Sequence, residues 1–412
     1  MSKPTGPIPP QFAEQEQLTI GGRTAEQWVA EAGDTPLFVY DVGAIGDRLA
    51  RLRAALPEIV DIHYAVKANP WEPLLAQVAP MVGGLDVASA GEMVKALAVK
   101  PADHISFAGP GKRDDELEAA IWAGVTLNAE SAGEVDRALR IGKRLDLAPQ
   151  IAIRVNPDFE LRGSGMKMGG RASPFGIDVA SVPALVRKLI DAGAQWRGFH
   201  IFAGSQSLDT AAIIETQAAT VDLAARLAAE AGAVPPLVNL GGGFGIPYFH
   251  GDTPVDIAAI GEALSEKLAN LPENLAGSRF AIELGRWIVG EAGVYLTRII
   301  DIKTSGEETF WVVDGGLNHQ LAASGNFGTV VRRNYPIAVA DRLNAEGDTE
   351  TSVVGPLCTP LDRLGDRVLL PRAEVGDLIA IFCAGAYGAS ASPVGFLGHP
   401  PAREILANAK NS

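Results

Sequence analysis

The chain has 412 residues, which is enough for two domains or for one barrel with an additional domain. Its formal net charge of −14 argues against general binding to nucleic acids or to anionic membranes. No apolar run is long enough to span a bilayer, and residues 1–17 lack the apolar core of a signal peptide. Two cysteines cannot form a disulfide framework, so we expect a cytoplasmic protein.

The predicted elements follow a regular order along the chain. Residues 1–17 are expected to be a loose tail, and residues 36–40 are expected to form a strand. From residue 57 onwards, short apolar runs alternate with helical stretches rich in alanine and leucine. The runs cover residues 59–66, 84–88, 105–108, 125–128, 151–155, 198–202, 237–240 and 280–283. Eight such runs predict a (β/α)8 TIM-like barrel, with an open parallel sheet as the alternative.

After residue 286 the pattern changes, because predicted strands follow one another without long helices between them. We therefore predict an α/β protein with a C-terminal β-rich domain that also takes in the N-terminal strand. The expected domains are residues 1–42 for the tail and that strand, 43–286 for the barrel, and 287–412 for the β domain.

Polar residues cluster at the ends of the barrel runs, where barrels of this type carry their active sites. The first run ends at Lys67, whose amine we expect to be buried and therefore paired or covalently used. His200 lies in the sixth run and Glu283 ends the eighth, while Glu130 and Arg154 follow the fourth run and end the fifth. Structural alternatives are a lysine that reaches solvent, a core histidine and a carboxylate in a rim ion pair.

The seventh run is followed by Gly-Gly-Gly-Phe-Gly at residues 241–245. Successive glycines let backbone N–H groups approach an anion closely, and the loop after the seventh strand is the usual phosphate position in these barrels. A plain tight turn is the alternative. The histidines show no metal-ligand spacing, so we expect no metal.

A rim lysine, a glycine loop and a buried carboxylate together suit pyridoxal 5'-phosphate (PLP). The lysine would attach the aldehyde as a Schiff base, and the glycine loop would hold the phosphate. The carboxylate would keep the pyridine nitrogen protonated, so that the ring accepts electrons from the substrate α-carbon.

Several motifs in a fixed order carry a resemblance to a known family, from residue 18 to about residue 387. They are Thr-Pro-Leu-Phe-Val-Tyr-Asp at 35–41, Tyr-Ala-Val-Lys-Ala-Asn at 64–69, Asp-Val-Ala-Ser-Ala-Gly-Glu at 86–92, Gly-Ser at 204–205, the glycine loop at 241–245, Glu-Leu-Gly-Arg at 283–286, Val-Asp-Gly-Gly at 313–316, Gly-Pro-Leu-Cys at 355–358 and Gly-Ala-Tyr at 385–387. The chain resembles the fold-type III PLP-dependent decarboxylases with an alanine-racemase-like barrel, which include diaminopimelate and ornithine decarboxylases.

The resemblance implies an α-decarboxylase that releases CO2 from an amino-acid or aminoacyl substrate through a Schiff-base intermediate. It implies Lys67 as the Schiff-base lysine, Glu283 as the partner of the pyridine nitrogen, and Cys358 as the proton donor contributed by the second chain of a homodimer. His200 is a further catalytic candidate. The remaining expected cofactor contacts are Asp86, Phe202, Ser205, Gly242, Gly243, Gly285, Arg286 and Tyr387.

Two positions depart from the family pattern. Phe202 replaces the histidine that stacks on the cofactor ring, and His200 lies two residues earlier, so the stacking residue stays open. Thr359 replaces the acidic residue that meets the distal amine, a contact worth about 1.5–3 kcal/mol. Free ornithine, lysine and diaminopimelate are therefore disfavoured. The expected substrate-binding residues are Arg332 and Arg333, as partners for an acidic group, with Tyr335, Thr359 and Asp362.

Residues 358–362 and 396–400 look more like a specialised branch of the family. That branch is found in exosortase-linked polysaccharide systems, or acts on an aminoacyl group, such as glutamyl, on an acyl carrier protein. The alternatives are a diaminopimelate decarboxylase, a PLP-dependent racemase and a non-catalytic PLP-binding regulator. Glu283 argues against a racemase, which places arginine at the pyridine nitrogen, and the presence of Lys67 and Cys358 argues against a regulator.

Overall fold

The computed structural model describes residues 2–163, 166–167, 172–325 and 332–407. The chain divides into two compact units. The barrel unit comprises residues 49–245 and 255–285, and the β unit comprises residues 1–48, 246–254 and 286–412.

These boundaries differ from the predicted ones at residues 42 and 286. The N-terminal boundary lies within the helix Val42–Ala55, because Arg48 belongs with the β unit. Its Nε donates to the carbonyl oxygen of Trp287 at 2.7 Å, and its guanidinium pairs with Glu291. Residues 246–254 join the same unit, where Tyr248 packs against Tyr335 with ring centroids 4.6 Å apart. Neither contact is visible from local sequence patterns.

Eight parallel strands form the closed barrel, as predicted. They are Val60–Ala65, Gly84–Val87, Ile105–Phe107, Thr126–Ala129, Gln150–Asn156, Gln195–Ile201, Leu237–Asn239 and Arg279–Leu284. Each strand pairs with the next, and the last pairs with the first through Glu283 and His63, which closes the ring. The open-sheet alternative is excluded.

The helices of the barrel unit connect these strands and begin and end at recognisable caps. They are Glu72–Val78, Ala90–Leu97, Asp114–Ala123, Ala132–Leu145, Val182–Asp191, Thr210–Ala231 and Ile257–Ala269. Ser89 and Ser131 accept backbone hydrogen bonds three residues later, as N-caps do. Gly124 and Gly232 end two helices in the left-handed conformation. Two short additions complete the unit: Ile177–Asp178 pairs in parallel with the end of the fifth barrel strand, and Met166–Lys167 pairs antiparallel with Gly204–Ser205.

The β unit is built on the long strand Gly293–Ser305. Its other strands are Leu37–Asp41, Glu308–Val313, Ile337–Val339, Thr349–Val354, Arg363–Leu370, Leu378–Ile381 and Arg403–Ala407, with a separate pair formed by Thr19–Ile20 and Arg23–Thr24. Leu37–Asp41 pairs antiparallel with Gly293–Ser305, which confirms that the N-terminal strand joins this sheet. The unit also contains the helices Pro10–Ala13, Ala25–Ala32 and Arg286–Val289. Among the described residues, no helix is both long and apolar enough to cross a bilayer.

The prediction of a loose tail at residues 1–17 is wrong for its described part. Phe12 is 1% exposed, and its ring lies 5.6 Å from that of Phe382. The amide of Lys3 donates to the carbonyl oxygen of Arg367 at 2.7 Å. The segment is ordered because one buried aromatic side chain and edge hydrogen bonds attach it to the β unit.

Candidate active site

Lys67, the predicted end of the first strand, lies two residues beyond the observed end. The first barrel strand stops at Ala65, and a short 3₁₀ turn, Val66–Ala68, carries the lysine. Lys67 is exposed, which differs from the expected buried amine and agrees with the alternative of a lysine that reaches solvent. The Tyr64 hydroxyl fixes this turn by donating to the carbonyl oxygen of Asn69 at 3.0 Å.

Phe202 and Ser205 follow the sixth strand. The Phe202 ring is half-buried, and its centroid lies 5.7 Å from Lys67 Nζ, which places an aromatic face beside the amine. Ser205 lies in the two-residue strand Gly204–Ser205. Of the two candidates for stacking on a cofactor ring, Phe202 is therefore the one in contact with the lysine.

Glu283 and His200 form a buried pair inside the barrel. His200 Nε2 lies 2.8 Å from Glu283 Oε2, and the two residues are 2% and 8% exposed. Burial alone raises the pKa of Glu283, but the hydrogen bond and charge of His200, with the charges of Lys67 and Arg154, lower it to about 2. Glu283 is thus ionised at neutral pH.

Arg154 is a site residue to which the sequence assigned no role. Its Nη1 binds Glu130 Oε1 at 2.7 Å, and Glu130 also accepts the amides of Gly109 and Gly176. This fixed guanidinium contributes to the low pKa of Glu283. The signal in the sequence was the position of Glu130 and Arg154 at the ends of consecutive strands.

Asp86 belongs to a polar chain in the barrel interior. One carboxylate oxygen accepts from the Ser106 hydroxyl, which in turn accepts from Asn128 Nδ2 at 3.0 Å. The other oxygen lies 3.3 Å from His63 Nδ1. Burial lowers the pKa of His63, but Asp86 and the nearby carboxylates outweigh it and raise the pKa above its ordinary value.

The glycine loop packs so closely that side chains are excluded. A Cβ at Gly242 would overlap the carbonyl oxygen of Glu283, and one at Gly243, where φ is +91°, would lie 2.8 Å from the carbonyl oxygen of Gly204. Within the described residues, no hydrogen bond uses the amide of Gly242 or Gly243. Gly285 packs against Ala65 and Ala68 beside the lysine turn. The loop is therefore both a packing element and a source of two uncommitted donors.

In the β unit, Arg286 and Tyr387 lie together. The Arg286 guanidinium is 4.9 Å from the centroid of the Tyr387 ring, and its Nη1 donates to the Tyr248 hydroxyl at 3.1 Å. Burial outweighs this cation and raises the pKa of Tyr248 to about 12, so the hydroxyl stays protonated. Tyr248 was not expected from the sequence.

The predicted substrate residues differ in exposure. Tyr335 is buried against Tyr248, whereas Arg333 is exposed and stacks 3.8 Å above the Phe249 ring. Arg332 Nη2 lies 3.4 Å from the carbonyl oxygen of Leu361. Among the described residues, neither arginine has a carboxylate within ion-pair distance.

Cys358 presents an exposed thiol, and Thr359 beside it is half-buried. Asp362 is 3% exposed and accepts the amides of Leu317 and Leu357 at 2.6 and 2.8 Å. These two hydrogen bonds hold the turn that carries the thiol, and a role of Asp362 in substrate binding stays a prediction.

Comparison with known proteins decides the family. The family model described as "Pyridoxal-dependent decarboxylase, pyridoxal binding domain" matches residues 42–290. The chain belongs to this family. Like its relatives, it is a PLP-dependent carboxy-lyase.

Three relatives illustrate the range of this decarboxylase family. An "L-glutamyl-[BtrI acyl-carrier protein] decarboxylase" from Niallia circulans is 37% identical over 90% of this chain and 89% of its own length. A diaminopimelate decarboxylase from Neisseria meningitidis is 33% identical over 88% and 87%. The crystal structure of diaminopimelate decarboxylase from M. jannaschii in co-complex with L-lysine superposes with a TM-score of 0.85, at 26% identity, over 98% of this chain and 93% of that chain.

The residues of this decarboxylase fit PLP. Glu283 is a buried, ionised carboxylate suited to a protonated pyridine nitrogen, and the Gly242 and Gly243 amides are uncommitted donors. Lys67 offers an accessible amine beside the Phe202 ring. These four features lie in the barrel unit, which the family model covers.

Proposed function

We propose that this decarboxylase removes the α-carboxylate of a glutamyl group carried by an acyl carrier protein. The observation that carries the proposal is the neutral Thr359 directly after the exposed thiol of Cys358, in the segment that Arg332 contacts at Leu361. The neutral Thr359 and the cationic Arg332 disfavour a substrate with a distal ammonium group. The relative that acts on a carrier-bound glutamyl group supports the same substrate.

In this proposal PLP, when bound, supplies the aldehyde that joins the substrate amine and the ring that withdraws electrons from the α-carbon. Lys67 binds the cofactor covalently in the resting enzyme. Glu283 holds the proton on the pyridine nitrogen, and His200 orients that carboxylate through the 2.8 Å hydrogen bond. Asp86 contributes to the cofactor site through its hydrogen bond with Ser106, which in turn binds Asn128.

Phosphate binding is assigned to Ser205, Gly242 and Gly243, with Arg286 and Tyr387, and Gly285 shapes the turn. Cys358 delivers a proton to the α-carbon from the second chain of a homodimer. Arg332 and Arg333 bind an acidic group of the substrate or of its carrier. The dimer follows from the family resemblance, and placement in the cytoplasm is proposed because both cysteines are unpaired.

A substrate panel tests the proposal. The purified enzyme is incubated with glutamyl-loaded acyl carrier protein, free glutamate, diaminopimelate, ornithine and lysine, and released CO2 is measured. We expect fast release from the loaded carrier only. Fast release from free diaminopimelate would support the alternative represented by the Neisseria relative and would refute the role given to Thr359. Borohydride-reduced enzyme is the control.

A further inference from the structure

The barrel contains a cavity of about 280 Å³ at the end opposite to Lys67. Its lining includes Asp61, Leu237 and Arg279, which lie at or beside the first residues of their strands. Lys67 follows the last residue of its strand, so the cavity opens at the N-terminal end of the barrel. Of the residues assigned above to PLP, Asp86 contacts the lining of this cavity, through His63 and Ser106.

Polar side chains line part of the cavity, in a region where barrels of this kind are usually filled by bulky branched side chains. His63, Ser106, Asn128 and Asn239 line it, and the small side chain of Ala152 leaves the space open. Dry cavities in proteins are apolar, whereas a polar cavity of this size holds water or a ligand. Its volume is close to the lower end of small-ligand pockets, which span about 300–1,000 Å³.

Arg197 lines the cavity and forms no ion pair among the described residues. Arg279, on the same lining, binds Asp61 at 2.8 Å, so its charge is neutralised. Arg197 makes only a long contact, 3.5 Å, from Nη2 to the carbonyl oxygen of Asp103. Within the described ranges, no carboxylate lies within ion-pair distance of Arg197. A half-buried guanidinium with free N–H groups is matched by a carboxylate, which it binds in a bidentate manner.

Deeper in the cavity, the polar side chains offer further hydrogen bonds. His63 lines the cavity, and its buried Nδ1 faces the Asp86 carboxylate at 3.3 Å. Ser106, Asn128 and Asn239 add hydroxyl and amide groups that serve as donors or acceptors.

We propose that this cavity is a second binding site, which takes a small carboxylate of amino-acid size. Arg197 binds the carboxylate at the opening, and the polar side chains around His63 receive the remainder of the molecule. The site is distinct from the one proposed for the carrier-bound substrate, because Asp61, Leu237 and Arg279 lie at or beside the first residues of their strands, whereas Lys67 follows the end of its strand.

Binding of radiolabelled succinate tests the proposal, using holoenzyme whose cofactor has been fixed by borohydride so that the PLP site stays filled. We expect saturable binding in equilibrium dialysis. Arg197→Gln should weaken it about tenfold or more, and Ala152→Leu should abolish it by filling the space. Arg187→Gln, on the exposed face of an outer helix, is the matched control and should bind normally. Absence of saturable binding, or equal binding by all variants, would overturn the proposal.

A measurement on the unmodified chain removes any dependence on variant folding. Phenylglyoxal modifies accessible arginines, and mass spectrometry follows each arginine separately. Succinate should slow the modification of Arg197 and leave that of Arg187 unchanged. Equal modification rates for Arg197 with and without succinate would contradict the assigned site.

Discussion

The imidazole of His200 binds the carboxylate of Glu283 at 2.8 Å although the two strands that carry them are not neighbours in the barrel. The strand Leu237–Asn239 lies between them. The pair therefore links two strands past the one between them, and it lowers the pKa of the Glu283 carboxyl.

Replacing His200 by leucine should leave a buried carboxylate without its partner. Removing one member of a buried pair costs about 3–5 kcal/mol, so the free energy of unfolding should fall by that order. Denaturant titration at neutral pH measures the loss. His250→Leu, at an exposed position, is the control and should change stability little. Equal stability of both variants would contradict a buried ionic pair.

The pH dependence of this effect has a definite sign. The pKa of Glu283 is about 2 in the folded protein, against an ordinary value of 4.5, so its contribution to stability is complete above pH 4.5 and is lost as pH falls towards 2. Without His200, burial dominates and raises that pKa. The stability difference between wild type and His200→Leu should therefore be largest at neutral pH and shrink in acid. A difference independent of pH would contradict this assignment.

Lys67→Ala should abolish covalent attachment of the cofactor and reduce turnover by at least about a thousandfold. Borohydride reduction followed by peptide mapping should fix the pyridoxyl group on Lys67 in the wild type. Lys95→Ala, on the helix Ala90–Leu97, removes a nearby amine and should keep both properties. Labelling of any other lysine would overturn the assignment.

Cys358→Ala should slow turnover about 10²–10⁴-fold while cofactor absorbance stays unchanged, because loss of a proton donor leaves cofactor binding intact. Cys383→Ala is the matched control, since Cys383 is buried and its thiol pKa is raised well above the usual range by burial. Steady-state kinetics and absorbance spectra check both. Unchanged turnover in Cys358→Ala would remove its proposed role.

Gly242→Ala should destabilise the barrel by about 1–3 kcal/mol and weaken PLP binding, since the new methyl group overlaps the carbonyl oxygen of Glu283. Gly111→Ala, where a Cβ meets no atom within 4 Å, is the control. Thermal unfolding with and without PLP separates the two effects. Wild-type affinity for PLP in Gly242→Ala would count against the loop as the phosphate site.

Thr359→Glu should increase decarboxylation of free diaminopimelate, because it restores a carboxylate after the thiol, a contact worth about 1.5–3 kcal/mol or about ten- to a hundredfold in kcat/KM. Thr359→Gln, of the same size but neutral, is the control. If both variants act alike, charge at this position does not select the substrate.

The barrel could be predicted because each of its eight strands is a short local run of apolar residues, and periodicity is a local property. Part of the candidate site could be predicted from the same pattern, since Lys67 and Glu283 lie at the ends of apolar runs. The predictions that were wrong concerned residues whose positions depend on more than the local sequence pattern. Phe12 is buried against Phe382, and Lys67 lies in a 3₁₀ turn after the strand; neither arrangement follows from local periodicity.

The pairing of His200 with Glu283 and of Arg154 with Glu130 could not be deduced for the same reason. Each depends on the register of strands brought together by barrel closure, over separations of 83 and 24 residues. The backbone amides that bind Asp362 could not be deduced either, because Leu317 lies 45 residues away along the chain.

The ring closes between the first and the last barrel strands, and Lys67 and Glu283 flank that seam. During synthesis on the ribosome, the lysine emerges more than two hundred residues before the acid that completes its surroundings. A nascent chain that lacks the last strand has the amine of Lys67 but not the carboxylate of Glu283. PLP binding should therefore follow completion of the barrel. The appearance of yellow colour during refolding with PLP should thus report when the first and last barrel strands pair.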